Sequence, residues 1–186
     1  MIDYEAIISK YCAGNTELQD ILLTHSRQVA DRALAIIRLH PEWVEQGLVD
    51  LVFVEEAAML HDIGVVLCDA PKIHCVGTHA YIEHGYLGAE ILRKEGLLKH
   101  ADVAERHTGT GITMEQIMRE QLPIPLQDYT PRTLEERLIC YADKFYSKTR
   151  LGEDKPMAKI RQHLWKYGSD TVFRFDEMQQ FFEPTV

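Results

Sequence analysis

The sequence lacks the paired cysteines that build zinc ribbons and disulfide frameworks. Its four cysteines, Cys12, Cys68, Cys75 and Cys140, include no CxxC pair. It also lacks a long apolar run of the kind that marks a secretory signal or a membrane-spanning helix. We therefore expect free thiols in a reducing cytoplasm, and neither a zinc ribbon, a disulfide scaffold nor a membrane partner.

Positive charge is scarce as well. The chain has 20 lysines and arginines against 29 aspartates and glutamates, which gives a formal net charge of −9 at pH 7. This balance argues against a nucleic-acid backbone or an anionic membrane as the main partner. An anionic small-molecule substrate would therefore depend on metal ions and on a few nearby cations.

Sustained period-two alternation is missing, whereas apolar residues recur at three- and four-residue spacing and so predict helices joined by short turns. The 186 residues suit one domain. We predict an all-α domain over residues 1–186, with a core at about 16–150 and a C-terminal helical extension at 151–186. The aromatic extension either packs on the domain or forms a dimer surface, so the sequence is compatible with a homodimer.

The strongest candidates for metal-binding or catalytic residues lie in the string EAAMLHDIG, from Glu56 to Gly64. An apolar run ends in an adjacent imidazole and carboxylate, and Gly64 offers a helix stop. We predict that His61 and Asp62 lie in the last turn of a central, enclosed helix. Because neighbouring helix residues project in different directions, both side chains can contact the same ligand only if it lies near the helix end. A metal ion fits this position, since it binds an imidazole nitrogen as well as a carboxylate oxygen. Taken alone, the pair also fits an ordinary helix end.

Further residues of the metal-ligating types fall within other helical patterns. His25 lies on an apolar stripe, where a lone histidine is more often a hydrogen-bonded core residue. His84 and His107 occupy the inward faces of two successive helices joined by a tight turn. Asp143 follows the apolar face of a later helix, and a buried carboxylate needs a metal or a cation.

The order of these residues resembles the HD-domain superfamily of metal-dependent phosphohydrolases, which has a His, then His-Asp, then a distant Asp. His25, His61, Asp62 and Asp143 match that order one by one, and His61-Asp62-Ile63-Gly64 is the signature of the HDIG subgroup. The resemblance runs from about residue 16 to 150. It implies a helical bundle with the metal site in its interior.

Two additional histidines, His84 and His107, match the extended six-ligand form of the superfamily. Imidazoles and carboxylates without a thiolate suit iron, manganese, cobalt or nickel at least as well as zinc. Six ligands are too many for one catalytic ion that keeps an open position, so we expect two divalent ions, iron or manganese first. The extended families imply the division into His25, His61, Asp62 and Asp143 for one ion, and Asp62, His84 and His107 for the other.

This resemblance implies a metal-dependent phosphohydrolase in which a metal-bridging hydroxide attacks phosphorus, with His61 and Asp62 at the catalytic centre. The expected substrate is a nucleotide or another small phosphate ester or anhydride. The ligand order resembles that of the bacterial diadenosine tetraphosphate hydrolase. Two alternatives share the pattern and stay open: a mixed-valent di-iron oxygenase and a non-catalytic nucleotide-binding module.

Four residues near the predicted ligands are candidates for contacting a phosphorylated substrate: Lys72, His79, Arg106 and Lys144. Lys72 belongs to the aperiodic stretch 65–78, which we expect to form a loop over the site. Lys148, five residues after Asp143, is a further candidate for binding an outer phosphate, although a solvated helix charge is the favoured interpretation.

Overall fold

The computed structural model describes residues 2–184, and nearly all of its regular structure is helical. The ten α-helices in this part of the chain are α1 (Tyr4–Cys12), α2 (Thr16–Leu39), α3 (Pro41–Glu45), α4 (Leu51–Leu60), α5 (His84–Lys94), α6 (Leu98–Arg106), α7 (Met114–Glu120), α8 (Leu134–Asp143), α9 (Met157–Leu164) and α10 (Ser169–Phe182). The predicted all-α class is confirmed. No helix of residues 2–184 combines the length and apolar character that a membrane crossing requires.

The stretch 65–78 is more ordered than the loop that the sequence predicts. Its two short strands, β1 (Asp69–Ala70) and β2 (Cys75–Val76), pair antiparallel. Short 3₁₀ turns precede and separate them. Because the backbone polar groups of this stretch bond to one another, it forms a small hairpin beside the helices.

Side chains cap the two helices that begin nearest to His25 and Asp143. At α2 the side chain of Asn15 accepts a hydrogen bond from the Leu18 amide at 3.1 Å. At α8 the hydroxyl of Thr133 accepts from the Glu136 amide at 3.1 Å. These caps satisfy backbone amides that have no partner inside the helix.

Helix α4 is the central helix of the fold, as predicted, but it ends at Leu60, so His61 and Asp62 follow its last turn instead of lying in it. It packs on α2, α6 and α8, and its second half, from Glu56 to Leu60, is buried. Ala57 and Ala58 belong to an apolar cluster shared with α2, α8 and α10, whereas Leu60 belongs to a second cluster shared with α1, α5 and α6. The end of α4 therefore lies where the two clusters meet.

The C-terminal helices pack against the rest of the fold. Phe175 and Phe182 of α10 are fully buried, and the ring of Phe175 stacks 5.5 Å from that of Tyr141 in α8. Helix α10 is thereby tied to the helix that carries Asp143. A domain boundary near residue 150 and a homodimer both stay predictions.

Gly64 has a different role from the predicted helix stop. It does not have a positive φ, and it lies inside the 3₁₀ turn Ile63–Leu67 that follows Asp62. A Cβ atom at this position would lie 2.0 Å from the His84 carbonyl oxygen and 2.3 Å from the Gly88 nitrogen. The glycine is needed because the turn touches the backbone of α5, which brings Asp62 beside His84.

We predict that Gly64→Ala lowers the free energy of unfolding by about 3 kcal/mol, since a methyl group cannot fit between two backbones. Chemical denaturation measures this loss. The control is Gly47→Ala, where φ is +67° and nothing lies within 4 Å of the added Cβ, so only backbone strain of about 1 kcal/mol is expected. An equal loss in both variants would contradict the close-packing role of Gly64.

Candidate metal centre

The six predicted ligands come from distant parts of the chain and converge in one site. Their side-chain atoms form two groups, each with all donor atoms within 4.8 Å of one another: His25, His61, Asp62 and Asp143, and Asp62, His84 and His107. Asp143 is partly exposed and the other five are buried. The pairing of ligands expected from the extended HD families is thus the pairing that the geometry shows.

Asp62 belongs to both groups and gives one oxygen to each. Its Oδ2 lies 3.0 Å from His25 Nε2 and 2.9 Å from His61 Nε2. Its Oδ1 lies 3.5 Å from His84 Nε2 and 3.4 Å from His107 Nε2. A carboxylate arranged in this way can bridge two cations.

Asp143 completes the first group with one oxygen only. Its Oδ1 lies 3.0 Å from His25 Nε2 and 3.6 Å from His61 Nε2. Its Oδ2 pairs with the ammonium group of Lys144 at 2.7 Å. Lys144 therefore balances the oxygen that faces away from the group and helps to orient the other.

Backbone carbonyls determine which ring nitrogen of the histidines faces the site. In His61, His84 and His107, Nδ1 lies 2.6, 2.6 and 2.7 Å from the carbonyl oxygen three residues earlier. A carbonyl only accepts, so Nδ1 donates its proton there. In the neutral ring, Nε2 then directs an unprotonated lone pair into the site, as a metal ligand requires.

Several of these buried atoms form no well-aligned hydrogen bond with the described residues. His61 Nε2 and both carboxylate oxygens of Asp62 accept or donate no hydrogen bond of acceptable geometry, although imidazole nitrogens lie near. The Nε2 atoms of His84 and His107 lie only 3.0 Å apart. Two facing lone pairs repel unless a proton or cation lies between them. The donor set therefore fits divalent cations.

The electrostatics of the two groups differ. Burial disfavours the His61 imidazolium, but the carboxylates of Asp62 and Asp143 outweigh it and raise the pKa of His61 to about 9. Burial together with the nearby His107 lowers the pKa of His84 to about 3. Burial also opposes ionisation of Asp62, yet His61 and Lys148 hold the pKa of that carboxyl well below its usual range. The carboxyl group of Asp62 thus stays ionised at neutral pH.

The site opens into a cavity of about 550 Å³. His25, His84, His107 and Asp143 line its inner end, and the remaining wall combines three lysines with apolar, aromatic and polar side chains. This volume lies within the range of small-molecule binding sites. A ligand in the cavity would contact the predicted metal ligands directly.

Of the four predicted substrate contacts, only Lys144 lines this cavity. Lys72 is exposed on the hairpin, and His79 turns to a glutamate of its own segment at 3.1 Å. Arg106 forms an ion pair with a glutamate of α8 at 2.9 Å. The stretch 65–78 contributes no lining residue. The geometry therefore gives Lys72, His79 and Arg106 no contact with a ligand in the cavity.

Lys148 is the site residue that the sequence reasoning placed wrongly. Instead of being solvated, its side chain is 11% exposed, and its Nζ lies 2.5 Å from Asp62 Oδ2. The Lys148 ammonium also lies 5.8 Å from the centre of the Tyr81 ring at the cavity wall. Helical spacing gave no signal for Lys148, because α8 ends at Asp143 and the chain then turns back toward the centre.

Comparison with known proteins gives a family and several relatives. The model of the HD domain matches residues 22–147. An uncharacterized protein of Methanocaldococcus jannaschii is 41% identical over 163 residues, which cover 87% of this chain and 84% of that protein. No solved structure matches the chain.

Two further relatives are named tRNA (cytidine(56)-2'-O)-methyltransferase. The protein of Picrophilus torridus is 36% identical over 103 residues, which cover 55% of this chain and 26% of that protein. The protein of Thermoplasma volcanium is 31% identical over 129 residues, which cover 69% of this chain and 32% of that protein. The match to these two relatives therefore spans a third or less of their length.

The family match covers more than half of the chain, and it contains all six residues of the His/Asp cluster. This match and the buried cluster agree on the same centre, and both are found on a helical fold. The chain belongs to the HD-domain family.

Proposed function

We propose that the chain is a metal-dependent phosphohydrolase that acts on a small phosphate ester or anhydride, in the first place a nucleotide. The observation that carries this proposal is the division of the two Asp62 oxygens between two ligand groups. Membership of the HD-domain family supports the hydrolytic class. The cavity above the centre supports a small molecule as the substrate.

In this proposal the two ligand groups hold two divalent ions, of iron or manganese. His25, His61, Asp62 and Asp143 would hold one, and Asp62, His84 and His107 the other. When bound, such ions lower the pKa of water and neutralise charge on phosphoryl oxygens. Hydrolysis then breaks one phosphorus–oxygen bond, adds the hydroxyl of water to phosphorus and leaves a proton on the departing oxygen.

Backbone and side-chain groups of the chain orient the metal-ligating residues and balance the charge of their carboxylates. The carbonyls behind His61, His84 and His107 keep each Nε2 directed at the centre. The carboxylate of Asp62 outweighs burial and raises the pKa of Lys148, so this side chain stays an ammonium. Lys148 thereby offers a fixed positive charge to phosphoryl oxygens.

The relatives named as tRNA methyltransferases suggest a second context, in which this domain works beside a tRNA-modifying enzyme. The net charge of −9 favours a small molecule over tRNA as the ligand of this chain. The oxygenase alternative uses the same six ligands, so oxygen consumption has to be measured in parallel with phosphate release.

We expect two divalent ions per chain in protein purified anaerobically without chelators, measured by elemental mass spectrometry. His107→Ala should reduce this to one ion, because only the second group loses a donor. His100→Ala is the control, since His100 is also a buried histidine but pairs with Glu56 outside the site. Two ions retained in His107→Ala would contradict the two-group assignment.

We expect Asp62→Asn to lower phosphate release from nucleotides at least about 10³-fold, because both ligand groups lose the shared carboxylate. Lys148→Met should keep both ions and lower kcat about 10²-fold, as expected when one fixed charge near a reacting phosphoryl group is removed. Lys159→Met, on the exposed face of α9, is the control and should match the parent. Parent activity in Asp62→Asn, or activity that requires oxygen, would refute the hydrolase proposal.

The raised pKa of His61 predicts a pH dependence of stability. Without metal, His61 binds its proton more tightly in the folded chain, with a pKa of about 9 against 6.5. This stabilisation is complete below pH 6.5 and is lost as the pH rises to about 9. Urea denaturation of chelator-treated protein should show this decline.

Saturating Mn²⁺ should remove the decline, because a nitrogen that binds an ion carries no proton. In the metal-free protein His61→Asn should also flatten it, whereas His100→Asn should not. A decline that persists in His61→Asn would assign the proton to another group.

A further inference from the structure

Part of the cavity wall is built by residues that follow the family match. The HD-domain match ends at residue 147, whereas Lys148, Lys155, Ile160, Leu164 and Tyr167 all line the cavity. Helix α9 and its flanking turns therefore shape the space above the centre. The common chemistry of the family does not explain this part of the wall.

Three lysines line the cavity, and they differ in their partners. Lys144 pairs with Asp143 at 2.7 Å, and Lys148 pairs with Asp62 at 2.5 Å. Lys155 donates to the carbonyl oxygen of Lys144 at 3.1 Å, and it forms no ion pair with a carboxylate of residues 2–184. Lys155 is thus the cavity lysine that pairs directly with no carboxylate of the described residues, although the charge of Asp143 acts on it at longer range.

The position of Lys155 is set by the backbone. Its amide donates to the carbonyl oxygen of Phe145 at 2.7 Å, which fastens the segment to the end of α8. Burial lowers the pKa of Lys155 to about 8, because the charge of Asp143 only partly offsets it and the charges of Lys144 and Lys148 reinforce it. An anionic ligand would offset both the burial cost and the repulsion, because it adds negative charge beside the ammonium group.

Apolar and aromatic side chains also line the cavity, together with polar ones such as Gln116 and Glu120. The apolar wall consists of Ile112, Ile160 and Leu164 with Tyr167, whose ring lies edge to face with that of His163 at 5.6 Å. Such a surface suits a flat, weakly polar group such as a nucleobase. The cavity therefore offers three chemically different regions: the metal-ligand centre, an ammonium group without a direct ion pair and the apolar wall.

We infer that Lys155 is a second anion-binding subsite and that the ligand is a nucleoside diphosphate. The terminal phosphoryl group would lie at the centre, the inner phosphate on Lys155 and the base against the apolar wall. Lys155 donates to the carbonyl oxygen of Lys144, the residue next to the ligand Asp143. The subsite would therefore lie beside the centre, just as the two phosphates of an anhydride lie beside each other. This inference rests on the proposed function for the group at the centre.

The test compares ADP with AMP as substrates of the Mn²⁺-loaded full chain. Lys155→Gln should lower kcat/KM for ADP about 10-fold or more, chiefly through KM, since a charge-assisted contact is lost. Turnover of AMP, which has no second phosphate, should change less than about 2-fold. Lys155→Arg should restore most of the ADP activity, and Lys159→Gln is the exposed control. Equal losses for ADP and AMP, or no loss, would overturn the subsite.

Equilibrium binding separates this inference from the proposed function. Calorimetry would measure the non-hydrolysable α,β-methylene analogue of ADP on the Mn²⁺-loaded parent and on Lys155→Gln. Weaker binding in the variant supports the subsite even if the chain hydrolyses none of the nucleotides tested, an outcome that would refute only the hydrolase proposal. Hydrolysis of nucleotides together with unchanged binding in Lys155→Gln would refute only the subsite.

Discussion

The buried carboxylate of Asp62 is the constraint on which the rest of the site depends. A carboxylate without water is stable only when positive or proton-donating groups surround it. Here four imidazoles and the Lys148 ammonium converge on its two oxygens. The backbone carbonyls behind three of those imidazoles leave lone pairs facing inward, so the arrangement is completed by cations. The ligand geometry, the charge balance and the proposed chemistry all follow from this one buried charge.

The scaffold makes this convergence possible through close backbone contact. Helix α4 ends where two apolar clusters meet, and the turn after it lies against α5. Gly64 and Gly88 allow that approach, because a side chain at position 64 would collide with the α5 backbone. Packing thus places His84 within reach of Asp62, and stability and metal-ligand geometry depend on the same contact.

One part of the cavity wall lies outside the matched domain. The six His/Asp residues and much of the cavity lining lie inside the HD-domain match, whereas Lys148, Lys155 and α9 follow it. The segment after the match therefore helps to shape the space above the centre.

The sequence by itself determined the helical class, because apolar residues recur at three- and four-residue spacing. It also supplied the six candidate ligands, since the order of His25, His61, Asp62, His84, His107 and Asp143 resembles that of the HD-domain superfamily. Only the tertiary structure decided which oxygen of Asp62 faces which group. It also showed that Gly64 serves packing, that Arg106 pairs away from the cavity and that Lys148 and Lys155 enter it. The reason is physical: helical periodicity sets the direction of short side chains on regular helices, whereas long charged side chains in turns follow whichever partner the fold brings near.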